Sequence, residues 1–285
     1  MSTLKIPAKR GRPSKAMIAA REVAAAKLIK PRRSDAEVLE DLTMRFGMLA
    51  KLTKAAIDRN TRSLVVSGAP GIGKTFTVEQ VLENERNARF TVVRGTLSGV
   101  NLYKLGYEFR NPGNVIVLDD ADGIFNDEDA LNILKALCDS SDNRRVHWLK
   151  ESHALKEDEV PQQYDFHGAM IFISNIPFQD MVDRGGGKLI PHFEALLSRS
   201  LYLDLMLHDR QAIALWVRHV ATAGKLFRRE GVSEAIGAEI LTFIDTHRDN
   251  LRELSIRTLM KGCALAKGNP RDWKQMAGVL LCRPN

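Results

Sequence analysis

Residues 68–75 (GAPGIGKT) constrain this chain more than any other stretch, because they satisfy the pattern G-x-x-x-x-G-K-[ST] without a gap. The physical content of the pattern is a cradle for an anion. Gly68, Gly71 and Gly73 allow backbone dihedrals that turn successive amide N–H groups inward. Lys74 adds a positive charge and Thr75 offers a hydroxyl to a hard divalent cation. A helix that begins near Gly73 aims its positive dipole end at the same point. The ligand so described is the polyphosphate of a nucleoside triphosphate. Such a loop needs a buried strand before it and a helix after it. Ser63–Ser67 (SLVVS) reads as a short apolar strand, and Phe76, Val78, Val81 and Leu82 recur at helical spacing among Thr77, Glu79, Gln80 and Glu83.

The same alternation continues along the chain. Ser34 opens a helix, with Glu37 as its capping-box partner and Val38, Leu42, Phe46, Leu49, Leu52 and Ile57 on its apolar face. Strands are expected at 63–67, 90–93, 115–118, 145–149 and 169–174, and helices from 74, over 102–109 and over 129–137. Strands that alternate with helices imply a mainly parallel sheet covered on both faces. Between the last two strands, residues 150–165 (KESHALKEDEVPQQYD) read as a polar surface loop. After Leu205 the strand signal ends. Ile213, Trp216, Val217 and Val220, then Ile236, Ile240, Phe243 and Ile244, then Leu254, Leu259 and Leu265 predict a small helical domain sized to lie over the loop as a lid. The expected division is 1–33 as a basic tail, 34–206 as the α/β domain and 207–285 as the helical domain.

Carboxylates stand where an open parallel sheet places ligand chemistry, at the end of the strand in VIVLDD (115–120). Asp119 is placed to hold Mg²⁺, directly or through water, and Asp120 to orient and deprotonate an attacking water. The alternative for this run is a strand that ends in a solvated acidic turn with Asp122. A second apolar strand ends IFISN (171–175), where Asn175 either shares that water and the γ-phosphate or caps the turn before Pro177. Further on come Ser198, Arg199 and Ser200, and Arg257 within the helical region. A guanidinium neutralises charge on a transferring phosphoryl group, although an isolated arginine is more often a surface charge.

In this order, the set resembles an AAA+ ATPase over residues 34 to about 278. The resemblance implies a five-stranded parallel P-loop NTPase sheet with helices on both faces and a C-terminal helical lid. It implies a nucleotide site of Gly68, Ala69, Pro70, Gly71, Ile72, Gly73, Lys74, Thr75 and Phe76, with Thr75 and Asp119 at Mg²⁺. Lys74, Asp119, Asp120 and Asn175 (sensor 1) would carry the chemistry with Arg257 (sensor 2), and Arg199 would be an arginine finger offered to a neighbouring subunit. ATP hydrolysis and a homo-oligomer, a hexameric ring or helical filament, are implied in the same way. One departure stands out: the family usually has Glu where this chain has Asp120. A carboxylate drawn back by more than about 1 Å slows hydrolysis, on the order of 10² in rate.

The net charge of +7 belongs to one segment. Residues 1–33 hold ten of the 42 Lys and Arg and one of the 35 Asp and Glu, so the remainder is slightly acidic. A cationic arm on a near-neutral body makes first contact with a polyanion. Its Arg10, Gly11, Arg12 and Pro13 resemble an AT-hook core, which lays an Arg-Gly-Arg segment in a narrow A·T minor groove. The alternatives are a solvated basic tail, one that binds RNA, or an organelle transit peptide. DNA is the expected partner, and a flexible arm the expected form. The longest apolar runs are strand-sized, which excludes a bilayer-spanning helix of ~20 residues. Cys138, Cys263 and Cys282 lack metal-ligand spacing and read as reduced thiols in a cytoplasmic setting. Three functions fit: a DNA-associated motor or loader of bacterial or phage replication, a protein-remodelling chaperone, and an ATP-gated assembly switch. The loop GTLSGVN (95–101) has no aromatic residue with which to grip polypeptide, which disfavours the chaperone.

Overall fold

A computed structural model of the chain describes residues 33–86, 88–205 and 209–284. Its first helix, α1 (Asp35–Ile57), begins at the expected capping box. The Glu37 amide donates to Ser34 Oγ at 3.3 Å and the Ser34 amide to Glu37 Oε2 at 2.8 Å. Leu42, Phe46, Leu49, Thr53 and Ala56 follow at alternating four- and three-residue steps and are buried, the stripe that a core-facing helix needs.

Five parallel strands form the central sheet in the order β2-β3-β6-β1-β7. They are β1 (Ser63–Ser67), β2 (Phe90–Arg94), β3 (Val115–Asp119), β6 (Ala169–Ser174) and β7 (Leu201–Asp204). Every residue of β1, β3 and β6 is buried, which is why these segments are continuous apolar runs rather than alternating ones. Successive residues serve opposite cores. Leu64 and Val66 join the cluster under α1, α2 (Lys74–Asn84) and the C-terminal helices. Val65 joins the cluster under α3 (Gly99–Glu108), α4 (Glu128–Leu137) and α7 (Ile190–Arg199).

The fifth strand is not the expected one. Segment 145–149 supplies only β4 (Arg145–His147), which pairs antiparallel with β5 (Gln163–Asp165) in a separate two-stranded sheet. Burial explains the difference: Val146 is buried while Arg145 and His147 are exposed, so β4 has one covered face and cannot sit inside a sheet sandwiched by helices. The place beside β1 is taken by β7, directly after Ser198, Arg199 and Ser200. Nor is 150–165 a plain loop, since it contains α5 (His153–Glu157) as well as β5. Helix α6 (Phe178–Arg184) follows β6.

Beyond β7 come helices α8 (Arg210–Ala223), α9 (Leu226–Arg229), α10 (Glu234–Thr246), α11 (Ile256–Gly268) and α12 (Trp273–Leu281). The expected boundary between 206 and 207 lies outside the described residues. These helices pack straight onto the first: Trp216 of α8 stacks on Phe46 of α1 with ring centroids 4.2 Å apart. The three cysteines are buried and unpaired. Among the described residues no helix is long and apolar enough to cross a membrane.

Candidate functional site

The loop 68–75 joins the end of β1 to α2, at the carboxyl edge of the sheet. Two of its glycines are required by geometry. Gly71 (φ +67°) and Gly73 (φ +102°) hold left-handed conformations that side chains resist. A Cβ on Gly71 would lie 2.7 Å from Ser255 Cβ, so the loop also touches the C-terminal helices where only hydrogen fits. Two hydrogen bonds fasten it there. The Ile256 amide donates to the Gly71 carbonyl at 2.9 Å, and Trp216 Nε1 donates to the Ile72 carbonyl at 2.9 Å.

Lys74 lies buried at the centre. Its ammonium donates to the carbonyls of Gly68 (2.7 Å) and Ala69 (2.9 Å) and to Asn175 Oδ1 (2.7 Å). Burial pushes Lys74 down to about 8; the carboxylates of Asp120 and Asp119 oppose that shift, and the positive charge of Arg257 adds to it. Asn175 uses both ends of its amide, because Nδ2 donates to Asp120 Oδ1 at 2.9 Å while Oδ1 accepts from Lys74. A chain of contacts thus runs Lys74–Asn175–Asp120. Asp120 itself has φ +51°, a left-handed conformation in which Asp is among the better-tolerated side chains. Behind it, Ser174 Oγ donates to Asp122 at 2.7 Å, and burial raises the Asp122 carboxyl above its usual range against that bond.

Asp119, only 6% exposed, accepts from Thr75 Oγ1 at 2.9 Å through one carboxylate oxygen and from Arg94 Nε at 3.1 Å through the other. Arg94 also pairs with Glu79 of α2. Sequence reading missed Arg94, yet a signal was present: FTVVR and VIVLD are equal-length strands ending in opposite charges, and in register they place Arg94 beside Asp119. The donors around Thr75 and Asp119 are hard oxygens, the kind that Mg²⁺ takes in small number when phosphate and water complete its shell. No group of three or more His, Cys, Asp or Glu among the described residues forms an all-protein metal cage.

These groups open on one cleft of about 470 Å³, lined on one side by the loop, Asp119, Asp120 and Asn175 and on the other by Trp216, Ile256 and Arg257. Phe76 lies in it and is 51% exposed, while Pro70 faces solvent. The remaining predicted residue does not belong to this cleft. Arg199 ends α7 at the opposite edge of the sheet, where its carbonyl accepts from Ser63 Oγ (2.9 Å) and its guanidinium donates to the Ala195 carbonyl (2.8 Å). The length of β1 separates it from the loop, on the order of 15 Å. Arg10, Gly11, Arg12 and Pro13 lie outside the described residues.

The parallel sheet with strand order β2-β3-β6-β1-β7, the Gly-rich loop after β1 and the C-terminal helices together form the P-loop NTPase fold of AAA+ type. Domain III of the Thermotoga maritima replication initiation protein DnaA shares it, with a TM-score of 0.50 and 13% identity over 85% of this chain and 92% of that one. The Thermotoga maritima RuvB Holliday junction branch migration motor gives 0.46 at 12% identity over 85% and 68%. No protein-family model matches the chain. It belongs to the family of an uncharacterized 36.7 kDa protein from the nrdC-mobD intergenic region of Enterobacteria phage T4, with 32% identity over 239 residues, 83% of this chain and 73% of that protein.

Proposed function

We propose that this protein is an ATPase that works on DNA, with residues 34–206 as its nucleotide-binding domain and 207–285 as its lid. The observation that carries the ATPase reading is the convergence of Lys74, Thr75, Asp119, Asp120, Asn175 and Arg257 on one cleft beside a left-handed glycine loop. In this reading the loop amides and Lys74 bind the phosphates, and the apolar part of the cleft takes the base. Thr75 and Asp119 hold Mg²⁺, which when bound neutralises charge on the phosphate oxygens. Asp120 takes the proton of the attacking water, and Asn175 orients Asp120 and senses the γ-phosphate through Lys74. Arg257 contributes positive charge from the lid. Arg199 serves the cleft of a neighbouring copy, since it stands at the far edge of its own sheet, and the active oligomer is a ring or filament.

The DNA reading rests on the charge concentrated in residues 1–33 and on the Arg10-Gly11-Arg12-Pro13 sequence. Turnover is slow, because Asp120 is shorter than glutamate and already paired with Asn175. An ATPase assay with and without double-stranded DNA tests both parts. Hydrolysis stimulated by DNA is expected in the full chain. A chain lacking residues 1–33 should keep its basal rate, lose the stimulation, and bind DNA with a flatter dependence on salt. Equal DNA affinity with and without the tail would remove DNA binding from this account.

A further inference from the structure

The candidate cleft runs along α11. Arg257 lines the cleft with Lys74, and Met260 lines it one turn later. Spacing of three residues keeps both on one face of the helix. The far end is therefore apolar, with Phe76 (51% exposed) and Met260 (42% exposed) uncovered and Leu226 beside them. Arg229 and Glu230 are the charged exceptions. Glu230 lines this end, is half-buried, and its carboxylate makes no hydrogen bond or ion pair with any described residue. Its neighbour Arg229 also lines this end, with its guanidinium 5.5 Å from the centre of the Phe76 ring, so that one face of the ring is left to a ligand.

A half-buried carboxylate that no described side chain engages is open to a donor brought by a ligand. A planar ring suits the exposed face of Phe76 and the thioether of Met260. The ring must also carry an N–H that points at Glu230. We propose that Glu230 determines base specificity by accepting a hydrogen bond from the exocyclic amino group of a purine. The inference rests on the nucleotide reading of the cleft. Adenine and guanine both supply such a group, and hypoxanthine has none.

Equilibrium binding of ATP, GTP and ITP with Mg²⁺ to the full chain and to Glu230→Gln tests it. The full chain should bind at least one amino-bearing nucleotide about tenfold or more tighter than ITP. A preference confined to ATP assigns adenine, and one confined to GTP assigns guanine. Glutamine can donate as well as accept, so Glu230→Gln should narrow that preference to about threefold or less. No discrimination against ITP by the full chain, or discrimination that Glu230→Gln leaves unchanged, overturns the role of Glu230 while the nucleotide reading stands. Failure of all three nucleotides to bind the full chain overturns both.

Discussion

Asp120 shows how a side chain and its backbone conformation have to suit each other. With φ at +51° it occupies a left-handed region where Asp is among the preferred non-glycine residues. Its carboxylate meets the Asn175 amide at 2.9 Å, so the shorter reach is matched by a fixed partner. Lys74 carries a sharper consequence. Its ammonium, pushed down to about 8 by burial, is charged at pH 7 and mostly neutral at pH 9. A lysine whose folded pKa lies below the unfolded value destabilises the fold while protonated. Stability should therefore rise with pH between about 8 and 10.5 as far as this group is concerned. Phosphates restore the charge, so binding must take up a proton above pH 8. Nucleotide affinity should fall about tenfold from pH 7 to pH 9. Titration in buffers of different ionisation heat should show that uptake at pH 9, and Lys74→Arg should abolish it. A flat affinity over this range would mean that Lys74 does not titrate there.

Among the elements, the loop 68–75 and the C-terminal helices behave as one part. Trp216 and Ile256 each donate to a loop carbonyl, and Gly71 has no room for a methyl group beside Ser255. Gly95 provides the control, since it has φ +92° and open space around its missing Cβ. Gly95→Ala should cost about 1 kcal/mol, the backbone strain alone. Gly71→Ala adds a clash with Ser255 and should lower stability by about 2 kcal/mol or more and nucleotide affinity by about tenfold. Thermal unfolding and binding measured side by side decide this. Equal losses in the two variants would show that contact between loop and helices does not shape the site. The elements themselves were unevenly legible. β1, β3 and β6 announce themselves because burial on both faces demands continuous apolar runs. Residues 145–149 also read as a strand, and the exposure of Arg145 and His147 on either side of buried Val146 shows why the segment pairs with β5 instead.

For the whole molecule, the decisive fact is the polarity of the parallel sheet. Its carboxyl edge holds Lys74, Asp119 and Asn175, while Arg199 stands at the amino edge beside Ser63. Under the proposed function a single chain has no arginine from α7 in its own cleft, and each copy in the ring or filament supplies one to the next. Lys74→Ala and Arg199→Ala should each be nearly inactive alone, and mixing them should restore part of the hydrolysis. The mixture creates interfaces with an intact cleft on one copy and an intact Arg199 on the next. Specific activity should also rise with protein concentration. Activity of Arg199→Ala equal to that of the unaltered chain would remove the shared site.

The local string GAPGIGKT, with its flanking strand and helix, determined the loop and the lysine that folds back on it, because the bonds from Lys74 to the Gly68 and Ala69 carbonyls lie within eight residues. VIVLDD and IFISN likewise marked the strand ends that reach the cleft. What only the tertiary structure decided are the contacts between distant segments: Arg94 on Asp119, Trp216 and Ser255 against the loop, Glu230 at the far end of the cleft, and β7 beside β1. Strand order and helix packing bring those residues together, and neither is written in the spacing of any one segment.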